Sequence, residues 1–118
     1  MDDFDFETFP EPIWVIDPDS FHVVDANGAA AHFCGCSTEE LCRKTLHDLH
    51  PTEAVDRLVY QCVPNGRCRA HLSPYRAGLI SFIKQDGTAE ELEVFCHLVD
   101  HSSEGRLLYL QGRRPRSH

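Results

Sequence analysis

The chain has 118 residues, 42% of them apolar and 25% charged, with a formal net charge of −8. That length suffices for one domain with a real core, and the composition is that of an ordinary soluble globular protein. The negative balance argues against general nucleic-acid binding, and no apolar run approaches the ~20 residues of a membrane span. The acidic start Met1-Asp2-Asp3-Phe4-Asp5 lacks the apolar stretch of a signal peptide. A cytoplasmic chain is therefore expected. Its six cysteines are expected to be reduced thiols, not a disulfide framework.

Residues 1–9 alternate acids and Phe and form an arm whose Phe4, Phe6 and Phe9 should pack on some face of the domain. Two short apolar runs follow, Ile13 to Ile16 and Phe21 to Ala26. Between them Asp17-Pro18-Asp19-Ser20 is turn chemistry, so the pair reads as a β-hairpin with Asp17 in a structural role. Asn27 suits the N-cap of a short small-residue helix, with its side chain bonded to the amide of Ala29 or Ala30. Gly35 is its natural stop. Ser37 stands three residues before Glu40, a capping box that opens a second short helix.

Lys44 to Pro51 reads as one helical turn halted by the proline. Thr52 then caps a helix over Glu53 to Gln61, where Val55, Leu58, Val59 and Cys62 make an apolar stripe. Residues 63–76 read as loop. Leu79 to Lys84 is a strand, and Gln85-Asp86-Gly87-Thr88 is a hairpin turn because Asp-Gly tolerates positive φ. Glu91 to Val99 is the returning strand, and Arg106 to Gly112 the last one. Residues 113–118, with Arg113, Arg114 and Arg116, form a basic tail or linker.

The residues Pro12, Val15, Asp17, Val24, Asn27, Ala29, Ala30, Gly35, Ser37, Glu39, Glu40 and Leu41 stand in the order P-x-x-V-x-D, V-x-x-N-x-A-A, G-x-S-x-E-E-L. This order resembles the start of a PAS domain, the sensory and interaction module of signalling proteins. The later segments fit as well, so the resemblance spans residues 10–112. It implies an α+β fold: a five-stranded antiparallel sheet in the order 2-1-5-4-3 with short helices on one face. It also implies a small cavity between sheet and helices. Propensity alone gives only an α+β chain with three C-terminal strands.

Several constellations have the atoms for chemistry but not the spacing. Cys34-Gly35-Cys36 with His32 and Cys42 lacks the pattern of a structural zinc site, unless Cys62, Cys68 and His71 fold back to complete it. Eight histidines raise haem, but haem-binding members of the family carry their axial His on the helix corresponding to Glu53 to Gln61, which has none. The cysteine motif of the light-sensing relatives is absent from Thr45 to Leu49, although a non-covalent flavin stays compatible with the sequence. No nucleophile elbow, phosphate loop or paired acid–base site is present, so no catalytic residue is assigned and no cofactor is expected.

The expected cavity lining is Phe33, Leu49, Leu58, Val59, Ser81, Val94 and Cys96, so any ligand should be apolar, or the cavity collapsed. In the returning strand Leu92, Val94, Cys96 and Leu98 take the core face, and Glu93, Phe95, His97 and Val99 the outer one. Phe95, Val99, Leu107, Tyr109 and Trp14 are expected together on that outer face, with Val15 inward. So apolar a face should be covered, and a homodimer with help from the N-terminal arm is expected. The implied function is a sensory and regulatory module that binds a small ligand or partner and signals to an output domain, in two-component or cyclic-dinucleotide signalling. The alternatives are a flavin- or haem-bearing redox or gas sensor of the same fold, and a small enzyme with a cone-like α+β pocket.

Overall fold

The chain was analysed as a computed structural model that describes residues 6–50, 75–101 and 105–115. The elements run β1 (Ile13–Ile16), β2 (Val23–Ala26), α1 (Gly28–Cys34), α2 (Thr38–Leu41), α3 (Leu46–Leu49), β3 (Tyr75–Ile83), β4 (Ala89–His101) and β5 (Gly105–Arg113). The helix expected over Glu53 to Gln61 lies outside the described residues, and so do its Leu58 and Val59. The five strands form one antiparallel sheet in the order β2-β1-β5-β4-β3, as the resemblance implied. β3 and β4 run longer than their sequence patterns suggested, β3 beginning at Tyr75 rather than Leu79.

Local chemistry sets the turns. The Asp17 carboxylate accepts from the amides of Asp19 at 2.8 Å and Ser20 at 3.3 Å, closing the β1–β2 turn on itself. Between β3 and β4 the Gly87 amide bonds the Lys84 carbonyl at 2.9 Å, and Gly87 has φ +89°. Only the glycine enters the left-handed region, so this is a type I turn closed by a bulge rather than a primed two-residue turn. Asp86 accepts from both the amide and the hydroxyl of Thr88. Gly35 ends α1 at φ +80°, and the Gly35 and Cys36 amides both return to the Ala31 carbonyl. The capping box of α2 forms as expected: Ser37 and Glu40 each bond the other's amide.

Strand parity decides which side chains meet. The inward face carries Trp14 and Ile16 from β1, Ile80 and Phe82 from β3, Leu92, Val94 and Cys96 from β4, and Leu108 and Leu110 from β5. Three expectations are corrected here. Trp14 pairs across to Leu110 and Ala26 and is wholly buried inside the core, not on the outer face. Val15, paired with Tyr109, takes the outward parity instead. All four β1 residues are buried, so the strand has no polar alternation to reveal its parity. Ser81 alternates with the inward Ile80 and Phe82, so its side chain stands on the outer parity and does not line the interior.

The outer half-sheet around β1 and β5 is covered by the chain's own arm. Phe6 meets Tyr109 edge-on at 6.4 Å, and the Glu7 carbonyl accepts from the Gly28 amide. Ile13, Val15 and Leu107 are buried although they face outward. Phe95 is half-buried beneath the Arg113 guanidinium, 5.2 Å from its ring centroid. The Val99 side chain lies outside the described residues.

Asn27 joins arm, sheet and helix. It is wholly buried. Its Oδ1 accepts from the amides of Ala30 and Ile13, each at 3.0 Å, and its Nδ2 donates to the Glu11 carbonyl at 3.0 Å. Nδ2 also reaches the Phe9 carbonyl at 3.5 Å, so the expected cap is one bond of four. Asn27→Ala should lower the stability by about 2–4 kcal/mol, because it removes a cap and orphans buried backbone groups. Urea denaturation measures this, and a loss near 1 kcal/mol would mean that the residue acts as a cap alone.

Candidate functional site

α1 lays Phe33 over the middle of the sheet, where it meets two aromatic rings edge-on: Trp14 at 6.1 Å and Phe82 at 5.7 Å. Trp14 and Phe82 are stacked, with centroids 4.6 Å apart. Leu49, Val94 and Cys96 are buried in the same core. The sequence thus brings Phe33, Leu49, Val94 and Cys96 together, while Ser81 turns away.

The residue that sequence reasoning missed is His50. Pro51 forbids helix at His50, so α3 ends there and the residue is extended at φ −138°, ψ 151°. That conformation carries the imidazole inward, only 1% exposed, to pack on Phe82 at 4.3 Å. Its Nδ1 lies 2.8 Å from the Ser81 carbonyl, on the sheet edge that β3 leaves unpaired. A carbonyl only accepts, so Nδ1 carries the proton and Nε2 presents a lone pair. Nε2 is buried without a hydrogen-bond partner among the described residues, whereas the Trp14 indole is partnered by the Cys34 thiol. A histidine next to a proline, one residue past Leu49 of an amphipathic turn, was the available signal.

Burial lowers the His50 pKa to about 4 from an ordinary value of 6.5; the Ser81 hydrogen bond opposes this fall and the charge of His47 adds to it. The ring therefore stays neutral near pH 7. Burial likewise pushes the Cys34 thiol up to about 11, with neighbouring Cys36 adding to the rise. Cys36 and Cys42 are also raised by burial, so none of the three is an activated thiolate. His32 is exposed on α1, and no cluster of three metal-ligating side chains occurs among the described residues. Cys62, Cys68 and His71 lie outside them.

A cavity of about 480 Å³ opens between the arm, α1 and the ends of β4 and β5, bounded by Pro10, Pro12, Phe33, Leu92, Gly112 and Arg113 among others. Ionic contacts frame it. Glu11 of the arm accepts from Gln111 and from Arg113 Nε, the latter at 2.9 Å. Glu90 pairs with Lys84 at 2.6 Å and with Arg114. Lys84 lies over the Phe33 ring at 4.8 Å. Arm, helix and the end of β5 thus meet around one opening.

A family model described as the PAS fold matches residues 6–113. The chain belongs to the PAS family. Solved structures agree on the fold. The PAS domain of nitrogen regulation protein NR(II) from Vibrio parahaemolyticus is 18% identical with a TM-score of 0.69, covering 93% of this chain and 94% of that one. The PAS domain of a Colwellia psychrerythraea protein is 17% identical with a TM-score of 0.72, over 90% and 87% of the two chains. A domain of the sensory box sensor histidine kinase/response regulator from Geobacter sulfurreducens is 20% identical, with a TM-score of 0.64 over 93% and 87%. No curated protein matches the chain significantly. No helix among the described residues is long and apolar enough to cross a membrane.

The depressed His50 pKa makes this PAS core acid-sensitive. The unfolded chain binds a proton on His50 below about pH 6.5 and the folded chain only below about pH 4. The contribution to stability is therefore complete above pH 6.5 and is lost as pH falls toward 4, by about 3 kcal/mol in all. The urea midpoint of the wild type should fall between pH 7 and 4.5, and that of His50→Leu should fall less. Parallel curves for the two proteins would show that His50 is not the titrating group.

Proposed function

We propose that this PAS domain is a non-enzymatic sensory module that binds a small, mainly apolar ligand or a partner and passes the change to an output domain through dimerisation. The observation that carries the reading is the convergence of the arm, α1 and the end of β5. Glu11 precedes β1, its carbonyl is held by Asn27, and its carboxylate holds Gln111 and Arg113 near the end of β5. A repacking of Phe33 or Trp14 would be felt at that junction, where the chain enters and leaves the domain. Ligand-driven redistribution between two packings is enough to make such a junction a switch.

The output fits two-component signalling, since domains of sensor histidine kinases share the fold. A cyclic-dinucleotide enzyme is the other output class, and we place the domain in the cytoplasm. In this reading it works without haem or flavin, because Trp14, Phe33 and Phe82 fill the core. The absorption spectrum of the purified protein should be blank above about 300 nm, since haem and flavin absorb there; a Soret or flavin band would favour the cofactor-bearing sensor instead.

The dimer is expected to use the outer face of β3 to β5. Leu79 is 42% exposed there, and Phe95 is half-buried beside it on β4. Tyr109 with Phe6 extends the surface toward the arm, while Trp14 is no part of it. Sedimentation at about 100 μM, where contacts worth roughly −5.5 kcal/mol still form, should find the wild type dimeric and Phe95→Glu monomeric. A monomeric wild type, or a dimeric variant, would remove this interface.

A further inference from the structure

We propose that Cys34 and Cys36 form a two-coordinate site for a soft monovalent cation of the Cu(I) class, with the Lys44 ammonium balancing the charge. The site lies at the rim of the domain, where the end of α1 meets the β3–β4 turn, and it stands independently of the sensory reading above. Its starting point is a small cavity of about 110 Å³ whose wall includes Cys34, Cys36, Lys44, Asp48 and Lys84. That space exceeds what one ion or one water molecule needs.

The backbone presents the two thiols as a pair. Gly35 between them sits in the left-handed helical region, at φ 80° and ψ 26°. Helical geometry of either hand separates Cα atoms two residues apart by about 5.4 Å. That lies inside the span of roughly 4.4–6.8 Å over which two cysteine sulfurs can meet. Three hydrogen bonds hold the bend. The Gly35 and Cys36 amides both return to the Ala31 carbonyl, and the Cys34 carbonyl accepts from the Gln85 amide at 2.8 Å. The Cys34 sulfur accepts from the Trp14 indole, and a donor of this kind orients and tunes a metal thiolate.

Ligand number and charge select the cation. Thiolates are soft and favour Cu(I), whereas structural zinc takes four ligands. No cluster of three metal-ligating side chains occurs among the described residues. Asp48, the carboxylate on the cavity wall, is exposed and already accepts from the amide and hydroxyl of Thr45. Binding releases both thiol protons to water and leaves two thiolates on one monovalent cation, a charge of −1. Burial holds both thiols up and the Lys44 ammonium draws both down, so it acts on each sulfur. Lys44 is half-buried and makes no ion pair among the described residues, whereas Lys84 is paired with Glu90.

Cu(I) delivered without oxygen from a chromophoric chelator, with reductant present, tests the site in the 118-residue chain. Trp14 is the one tryptophan, so its fluorescence reports on Cys34. The wild type should take one equivalent while that fluorescence falls saturably. Cys36→Ser should weaken this step by more than the roughly 10–100-fold that loss of an outer-shell partner costs. Cys42→Ser, exposed and away from the cavity wall, should bind as the wild type does. Zn(II) at the same concentration should leave the fluorescence unchanged. An unaltered affinity in Cys36→Ser, an equal response to Zn(II), or fluorescence that Cu(I) leaves in place would overturn the site. Should Cys36→Ser not fold, X-ray absorption of the wild type loaded with one equivalent of Cu(I) decides. Two sulfur neighbours uphold the site, and a third sulfur or any nitrogen overturns it.

Discussion

The side chain of Asn27 is the interaction on which the rest of the structure depends. From inside the core it holds the start of α1, the entry of β1 and the carbonyl of Glu11 at once. The first two are buried backbone donors and the third is a part-buried acceptor, so the amide must satisfy donors and an acceptor together. The Asn side chain offers both in one short planar group. With the arm fixed at Glu11, the Glu11 carboxylate is in place for Gln111 and Arg113 on the neighbouring strand. One buried amide thus couples the entrance of the domain to its exit.

The core built around that anchor is aromatic. Trp14, Phe33 and Phe82 contact one another in stacked and edge-on pairs, a geometry that orders a core more tightly than aliphatic filling does. Gly112 permits this closeness, because a methyl group there would stand 2.6 Å from the buried Leu92. His50 Nε2 is buried in such surroundings with no hydrogen-bond partner among the described residues. Exceptions of this kind are expected where a domain must respond to something.

The pH dependence of stability centres on His50. A proline fixes its backbone, the free edge of β3 fixes its Nδ1, and burial keeps it neutral. The same burial that silences its charge leaves Nε2 available as a lone pair. The cysteines share the suppression: raised thiol pKa values make Cys34, Cys36 and Cys42 poor nucleophiles.

The sequence by itself determined the parts that rest on local chemistry. Asp17, Gly35, Ser37 with Glu40, and Asp86-Gly87 act within a few residues of themselves, so the hairpins and caps were legible. The order of motifs carried the family, and with it the strand order. Tertiary structure alone decided the faces of β1 and β3. Ile13 to Ile16 is apolar throughout, and Leu79 to Ile83 alternates apolar with apolar except at Ser81. Only pairing with Leu110 and Leu92 fixed Trp14 inward and Ser81 outward. The breadth of the Asn27 contacts and the burial of His50 were likewise decided there. Their partners stand up to 31 residues away in the chain, and no local pattern specifies a hydrogen bond that long-range packing brings about.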